Sequence, residues 1–169
     1  FEQAWQLIAP PELVQNSCLL VMGSEGRGEQ LLKTDQDNAL LLRDGYVPPD
    51  DLPAICARFS EALARFGYPP CPGNVMLSNA TWRGTVQEWL VLPEADSLIN
   101  LAVFMDAHAV CGDAELLASL RRQVFGMLAD DDAMMSRFAA VVDAFGDGTR
   151  WWRRMLGGGE ANLNLKKAG

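Results

Sequence analysis

The stretch VMGSEGRGEQLLKTDQDNALL, residues 21–41, decides how the rest of the chain reads. The apolar run from Cys18 to Met22 leads into it and stops at Gly23, the pattern of a short buried strand. Ser24 can cap a helix of two turns over residues 25–32, and Asp35 to Leu42 reads as the next strand, ended by the turn pair Asp44 and Gly45. The order is strand, tight glycine turn, short helix, strand. The glycine-rich part lacks the G-K-[S/T] ending of a Walker loop and the G-x-G-x-x-G order of a dinucleotide fold, so neither of those is expected.

A Gly-Ser pair at the start of a short helix offers unpaired backbone N–H groups and the positive end of the helix dipole, which favour a bound phosphate. The alternative is that Ser24 is only a cap. A capping box would want Glu or Gln at the third helical position, which holds Arg27. A cation in the first turn opposes the dipole and makes more sense if an anion visits, although Glu25 already supplies a favourable charge. Asp35 and Asp37 are the stronger signal. On a strand, alternate residues share a face, which puts their α-carbons about 6.5–7 Å apart. Two like charges held that close cost energy unless a cation lies between them, and oxygen ligands so arranged suit Mg²⁺. The alternative for this pair is a solvated turn or a charged strand edge.

Outward from this segment, residues 2–9 read as a helix broken by Pro10 and Pro11. Asp50, Asp51 and Pro53 open a second helix with Leu52, Ile55, Phe59, Leu63 and Phe66 at helical spacing. Residues 69–79 read as a loop around a short strand Val75 to Leu77, and Trp82, Val86 and Trp89 as one face of a further helix. Ile99 to Val110 reads as an apolar strand interrupted by Asp106. Asp113 then caps a helix carrying Leu116, Leu117, Leu120, Val124 and Leu128, and Met134, Phe138, Val141, Val142 and Phe145 mark another. Three glycines at 157–159 precede a strand-like stretch, Asn162 to Lys166. The predicted class is α+β: a mixed sheet flanked by helices over residues 1–112, and a helical C-terminal part over residues 113–169.

The 169 residues, 49% hydrophobic and 21% charged, have the composition of an ordinary globular domain, and the chain reads as a piece of a longer protein. No apolar run is long enough to span a bilayer and no signal-peptide order is present, so no membrane partner and a cytoplasmic location are expected. Cys18, Cys56, Cys71 and Cys111 are too far apart for a zinc pattern and read as reduced, mostly buried thiols. A net charge of −8 argues against a long nucleic acid as partner, since that needs a basic surface; a small anion needs local cations or metal ions.

Gly23 and Ser24, followed after residues 25–34 by Asp35-Gln36-Asp37, resemble the signature of the polymerase-beta type nucleotidyltransferase superfamily. The string GSEGRGEQLLKTDQDNALL is similar to the nucleotidyltransferase domain of bacterial signalling proteins that also carry CBS and cyclic-nucleotide-binding modules, a domain related to the uridylyltransferase of the PII nitrogen-regulatory protein. CPGNVMLSN at 71–79, the Trp82 to Trp89 helix, FMDAHAVCGD at 104–113 and NLNLKKAG at 162–169 resemble the same family. The resemblance implies a fold of nucleotidyltransferase type. It also implies a Mg²⁺- or Mn²⁺-dependent reaction that moves a nucleoside monophosphate from a nucleoside triphosphate to a hydroxyl of a protein or small molecule, in signalling. Gly23 and Ser24 would hold the triphosphate, Asp35 and Asp37 would bind two metal ions, and Asp106 would be the third carboxylate. Arg27 and Lys166 would contact phosphate or substrate. Regulatory CBS or cyclic-nucleotide-binding modules would lie elsewhere in the full chain.

This chain departs from the superfamily pattern at Gln36 and Asn38, where apolar residues are preferred although the resembled family tolerates these two, and at His108, where that family usually has Arg two residues after the third Asp. His108 keeps open a second reading, a domain that senses a nucleotide without turning it over. A third is a helical interaction module over residues 113–156, with Trp151 and Trp152 as candidates for its exposed surface.

Overall fold

The computed structural model describes residues 1–22, 35–90 and 107–145. The helix expected over 25–32, the part of the expected strand up to residue 106, the strand-like 162–166 and the Trp151-Trp152 pair lie outside the described residues.

Strand β1, Ser17–Val21, pairs antiparallel with β2, Asn38–Leu42, with Ser17 opposite Leu42 and Val21 opposite Asn38. Strand β3, Arg83–Thr85, runs parallel to β2, and β4, His108–Gly112, runs antiparallel to β1, giving the order β3-β2-β1-β4. Every residue of β1 and β2 is buried, because helices cover both faces of these central strands. The alternation of side chains then sorts them into two cores. Cys18, Leu20, Ala39 and Leu41 face a cluster with Trp82, Val86 and Trp89. Leu19, Leu40 and Leu42 face one with Trp5, Leu13, Phe59 and Leu63, where the rings of Trp5 and Phe59 meet edge to face at 5.2 Å. The class is α+β, a mixed sheet flanked by helices, as the strand and turn pattern predicts.

Helix α1, Glu2–Ile8, stops before the two prolines as expected, but Pro11 does more than break it. It occupies the first turn of helix α2, Pro11–Gln15, where a missing N–H costs nothing. Helix α3, Leu52–Arg65, buries Leu52, Ile55, Phe59 and Leu63. Phe66, expected on the same stripe, is instead 59% exposed, because the helix has ended there. Gly67, at φ +90°, turns the chain away: its N–H donates to Ala64 O and that of Tyr68 to Leu63 O, the two bonds of a Schellman ending.

The strand expected at Val75 to Leu77 is a correction: these residues lie in an irregular loop. Asn74, at φ 55°, bends it, and the backbone of Val75 and Leu77 is bonded to Asn38 rather than to a sheet neighbour. The strand that does extend the sheet is β3, too short to show a period. The helix expected to carry Trp82, Val86 and Trp89 is also divided. Trp82 ends a 3-10 turn, Ala80–Trp82, and helix α4 covers only Val86–Leu90. All three side chains still share one core, with the two indole rings 6.0 Å apart.

Helix α5, Glu115–Ala129, buries the expected Leu116, Leu117, Leu120, Val124 and Leu128 against the same cluster as Cys18 and Leu20. The cap position is Ala114 and not the expected Asp113; Asp113, one residue earlier, accepts from Glu115 N through Oδ1 at 3.0 Å. Helix α6, Asp132–Phe145, follows and buries Phe138. Among the described residues no helix is long and apolar enough to cross a membrane.

Candidate functional site

The end of the sheet where β1 gives way to Gly23 and β2 begins is where the candidate carboxylates gather. Val21 pairs with Asn38 on one side and with His108 on the other, so these three form a row across the sheet. Met22, Asp37 and Ala107 are each one residue beyond that row, at the same end. The Met22 N–H donates to Asp37 O at 3.0 Å and carries the β1–β2 pairing one step further.

Asp35 and Asp37 do not stand on β2 itself, as an expected strand from Asp35 to Leu42 would place them. The strand starts at Asn38. The reason lies in where the backbone bonds go: Gln36 N–H donates to Pro69 O at 2.9 Å and Asn38 N–H to Val75 O at 3.1 Å. Residues 35–37 are thus held mainly by the loop after α3, with the single bond from Met22 N–H to Asp37 O as their link to the end of β1. Asp37 is 9% exposed and Asp35 half-buried, while Gln36 and Asn38 are fully buried.

The loop also reaches Asp37 through a side chain. The Cys71 thiol, 4% exposed, hydrogen-bonds the Asp37 carboxylate. Burial, and after it the Asp37 charge, push this thiol up to about 12, so it is a neutral donor at any ordinary pH. All four cysteines are buried and free.

Of the residues expected to form the site, the structure therefore places Asp35 and Asp37 near one another at one end of the sheet. Gly23, Ser24, Arg27, Asp106 and Lys166 lie outside the described residues. Among the described residues no group of three His, Cys, Asp or Glu side chains could hold a metal ion. The donors that are described, two carboxylates with a residue between them, have the hard oxygen chemistry of a Mg²⁺ or Mn²⁺ ligand set. His108 is exposed on β4 at the edge of the sheet. Arg121, on α5, donates through Nη2 to Ala107 O at 2.5 Å, which brings a guanidinium to the residue next to Asp106 in the chain.

In sequence the loop 71–79 shows only as a stretch that resembles the family, Gln36 and Asn38 as polar residues where the superfamily prefers apolar ones, and Cys71 as one thiol among four; no spacing reports that the loop holds the acidic segment. Their burial next to the carboxylates is a tertiary fact. A trace of it exists in sequence: Asn38 directly precedes Ala39-Leu40-Leu41-Leu42, where a polar residue has to find a partner once buried.

A family model described as "Putative nucleotidyltransferase DUF294" matches residues 1–92, which include β1, β2, both carboxylates and the loop that holds them. No curated protein and no solved structure matches the chain.

Proposed function

From the premise that the chain belongs to the family of the Putative nucleotidyltransferase DUF294, we propose that it moves a nucleoside monophosphate from a nucleoside triphosphate to a hydroxyl group of a protein or small molecule, in bacterial signalling. The observation that carries this reading is that Asp35 and Asp37, one half-buried and one 9% exposed, stand directly before β2, with Asp37 bonded to Met22 at the end of the strand that leads into Gly23 and Ser24.

Asp35 and Asp37 hold Mg²⁺ or Mn²⁺, and Asp106 is the third carboxylate. A bound divalent ion there supplies positive charge at the triphosphate and lowers the pKa of the acceptor hydroxyl. Gly23 and Ser24 cradle the triphosphate with backbone N–H groups, and Arg27 and Lys166 contact its phosphates. The acceptor oxygen forms a bond to the α-phosphorus as the bond to the departing pyrophosphate breaks, and Asp106 takes the hydroxyl proton. The protein's share is position and charge, as in phosphoryl transfer generally. Regulatory CBS or cyclic-nucleotide-binding modules elsewhere in the full chain supply the signal.

The test uses nucleoside triphosphates labelled at the γ-phosphate, with Mg²⁺ or Mn²⁺, and compares the wild type with a variant carrying Asp35→Asn and Asp37→Asn. Metal-dependent pyrophosphate release from the wild type, lost in the variant by about a thousandfold or more, is the expected result. Equal release from both sinks the reading. The exposed His108 favours a second reading, nucleotide binding without turnover; calorimetric binding of a triphosphate with no pyrophosphate over hours would select it.

A further inference from the structure

Gln36 and Asn38, on either side of Asp37, are fully buried and bonded through both backbone and side chain. Gln36 Nε2 donates to Ser60 O and to Tyr68 O, both at 2.9 Å, and its own N–H donates to Pro69 O at 2.9 Å. Asn38 Oδ1 accepts from Leu77 N at 2.9 Å, and its N–H donates to Val75 O at 3.1 Å. The Schellman ending at Gly67 is what brings Tyr68 O and Pro69 O round to Gln36, and the bend at Asn74 does the same for Val75 and Leu77. One loop thus grips the acidic segment on both sides of Asp37, and touches Asp37 itself through Cys71.

Among the described residues, Gln36 Oε1 and Asn38 Nδ2 are buried and find no hydrogen-bond partner. Burying such groups costs free energy that an apolar side chain would avoid. Gln36 stands between the two carboxylates and Asn38 directly after the second, so the backbone these bonds hold is the one that carries both.

We infer that Gln36 and Asn38 are positioning residues, which lock residues 35–37 onto the loop 68–77 and so fix where the Asp35 and Asp37 carboxylates meet a divalent metal ion. This rests on the metal-site reading above. Neither amide touches the ion; they act through the backbone they hold, as supporting groups around metal ligands generally do.

The experiment measures Mn²⁺ affinity by electron paramagnetic resonance, and amide hydrogen exchange, on the 169-residue chain. It compares the wild type with Gln36→Leu, Gln36→Met and Ser17→Ala, at a temperature where circular dichroism shows all four folded. Both Gln36 variants should weaken Mn²⁺ binding about tenfold or more and speed exchange at Asn38 and Leu77. Ser17→Ala removes a buried hydroxyl's 2.6 Å bond to Leu13 O at the opposite end of β1; it should lower the melting temperature and leave Mn²⁺ affinity unchanged. In the wild type, saturating Mn²⁺ should slow exchange at Asn38 and Leu77, a readout that holds even if a Gln36 variant does not fold. Equal affinity in wild type and Gln36 variants overturns the inference alone. Exchange at Asn38 and Leu77 that responds neither to Mn²⁺ nor to Gln36 overturns it too. A wild type that binds no Mn²⁺ overturns the metal reading beneath it.

Discussion

The two ends of the sheet are held in different ways. At the end away from the carboxylates, Arg43 pairs with Asp113 at 2.7 Å and donates through Nε to Asn16 Oδ1, while the N–H of Arg43 donates to Asn16 O and that of Asp113 to Ser17 O. There an aspartate is matched by a cation, and the result is a closed joint between β2, the turn before β1 and the start of α5. At the other end the holding groups are two amides and a thiol, which bring no charge of their own to Asp35 and Asp37. The second fixes the backbone on either side of Asp37 through neutral amides bonded to helix α3 and to the loop after it.

The closed joint is most sensitive at Gly112. It sits at φ +91°, and a Cβ there would lie 2.1 Å from Ser17 O and 2.8 Å from Val14 O, both backbone atoms that cannot step aside. Gly112→Ala should cost about 3 kcal/mol or more from strain and overlap together, read as a lower urea midpoint. A change under 1 kcal/mol would mean the closed end is looser than its bonds suggest.

A pH effect follows from Cys18, also towards that end. Burial first, then the charge of Asp113 and the neighbouring Cys111, raise its thiol from 9.0 to about 12. Below pH 9 both folded and unfolded chains keep the proton, so nothing is lost. Between pH 9 and about 12 the unfolded chain releases it and the folded one does not, so stability falls as pH rises. Cys18→Ala should make the decline of melting temperature across this range shallower; an unchanged slope would contradict the burial argument.

Arg43→Met should cost about 1 kcal/mol in chemical denaturation, since the pair it breaks is part-exposed, and should leave Mn²⁺ affinity as it was. A loss of metal affinity would show that the two ends are coupled and the contrast is false. The smallest effect is expected at Phe66. Phe66→Ala should change stability by less than about 0.5 kcal/mol, because the side chain lies beyond the helix it seemed to belong to.

How much of this was legible in sequence depended on the range of the interactions. Helix α3 and the buried stripe of α5 showed in their periodicity, and β1 showed as an apolar run ending at glycine, because burial of one local face is written in local spacing. The place of Phe66 was misread since the stop signal, Gly67, comes one residue later and overrides the period. β3 and the split of the Trp82 to Trp89 segment were invisible for want of length. In the site, the Asp35 and Asp37 pair was plain from its spacing, but the strand that was to carry it begins only at Asn38. What replaces the strand is a set of bonds from Gln36 and Asn38 to residues more than twenty positions away, and no local pattern reports those. The polar residues that looked like departures from the nucleotidyltransferase pattern are the ones that anchor the segment.

The proposed function puts a divalent metal ion between Asp35 and Asp37, beside a triphosphate. Crystals grown with Mn²⁺ and a non-hydrolysable nucleoside triphosphate would locate manganese by its anomalous scattering. The expected result is a peak held between oxygens of Asp35 and Asp37 and touching phosphate; a bound triphosphate whose manganese lies away from both carboxylates would contradict it.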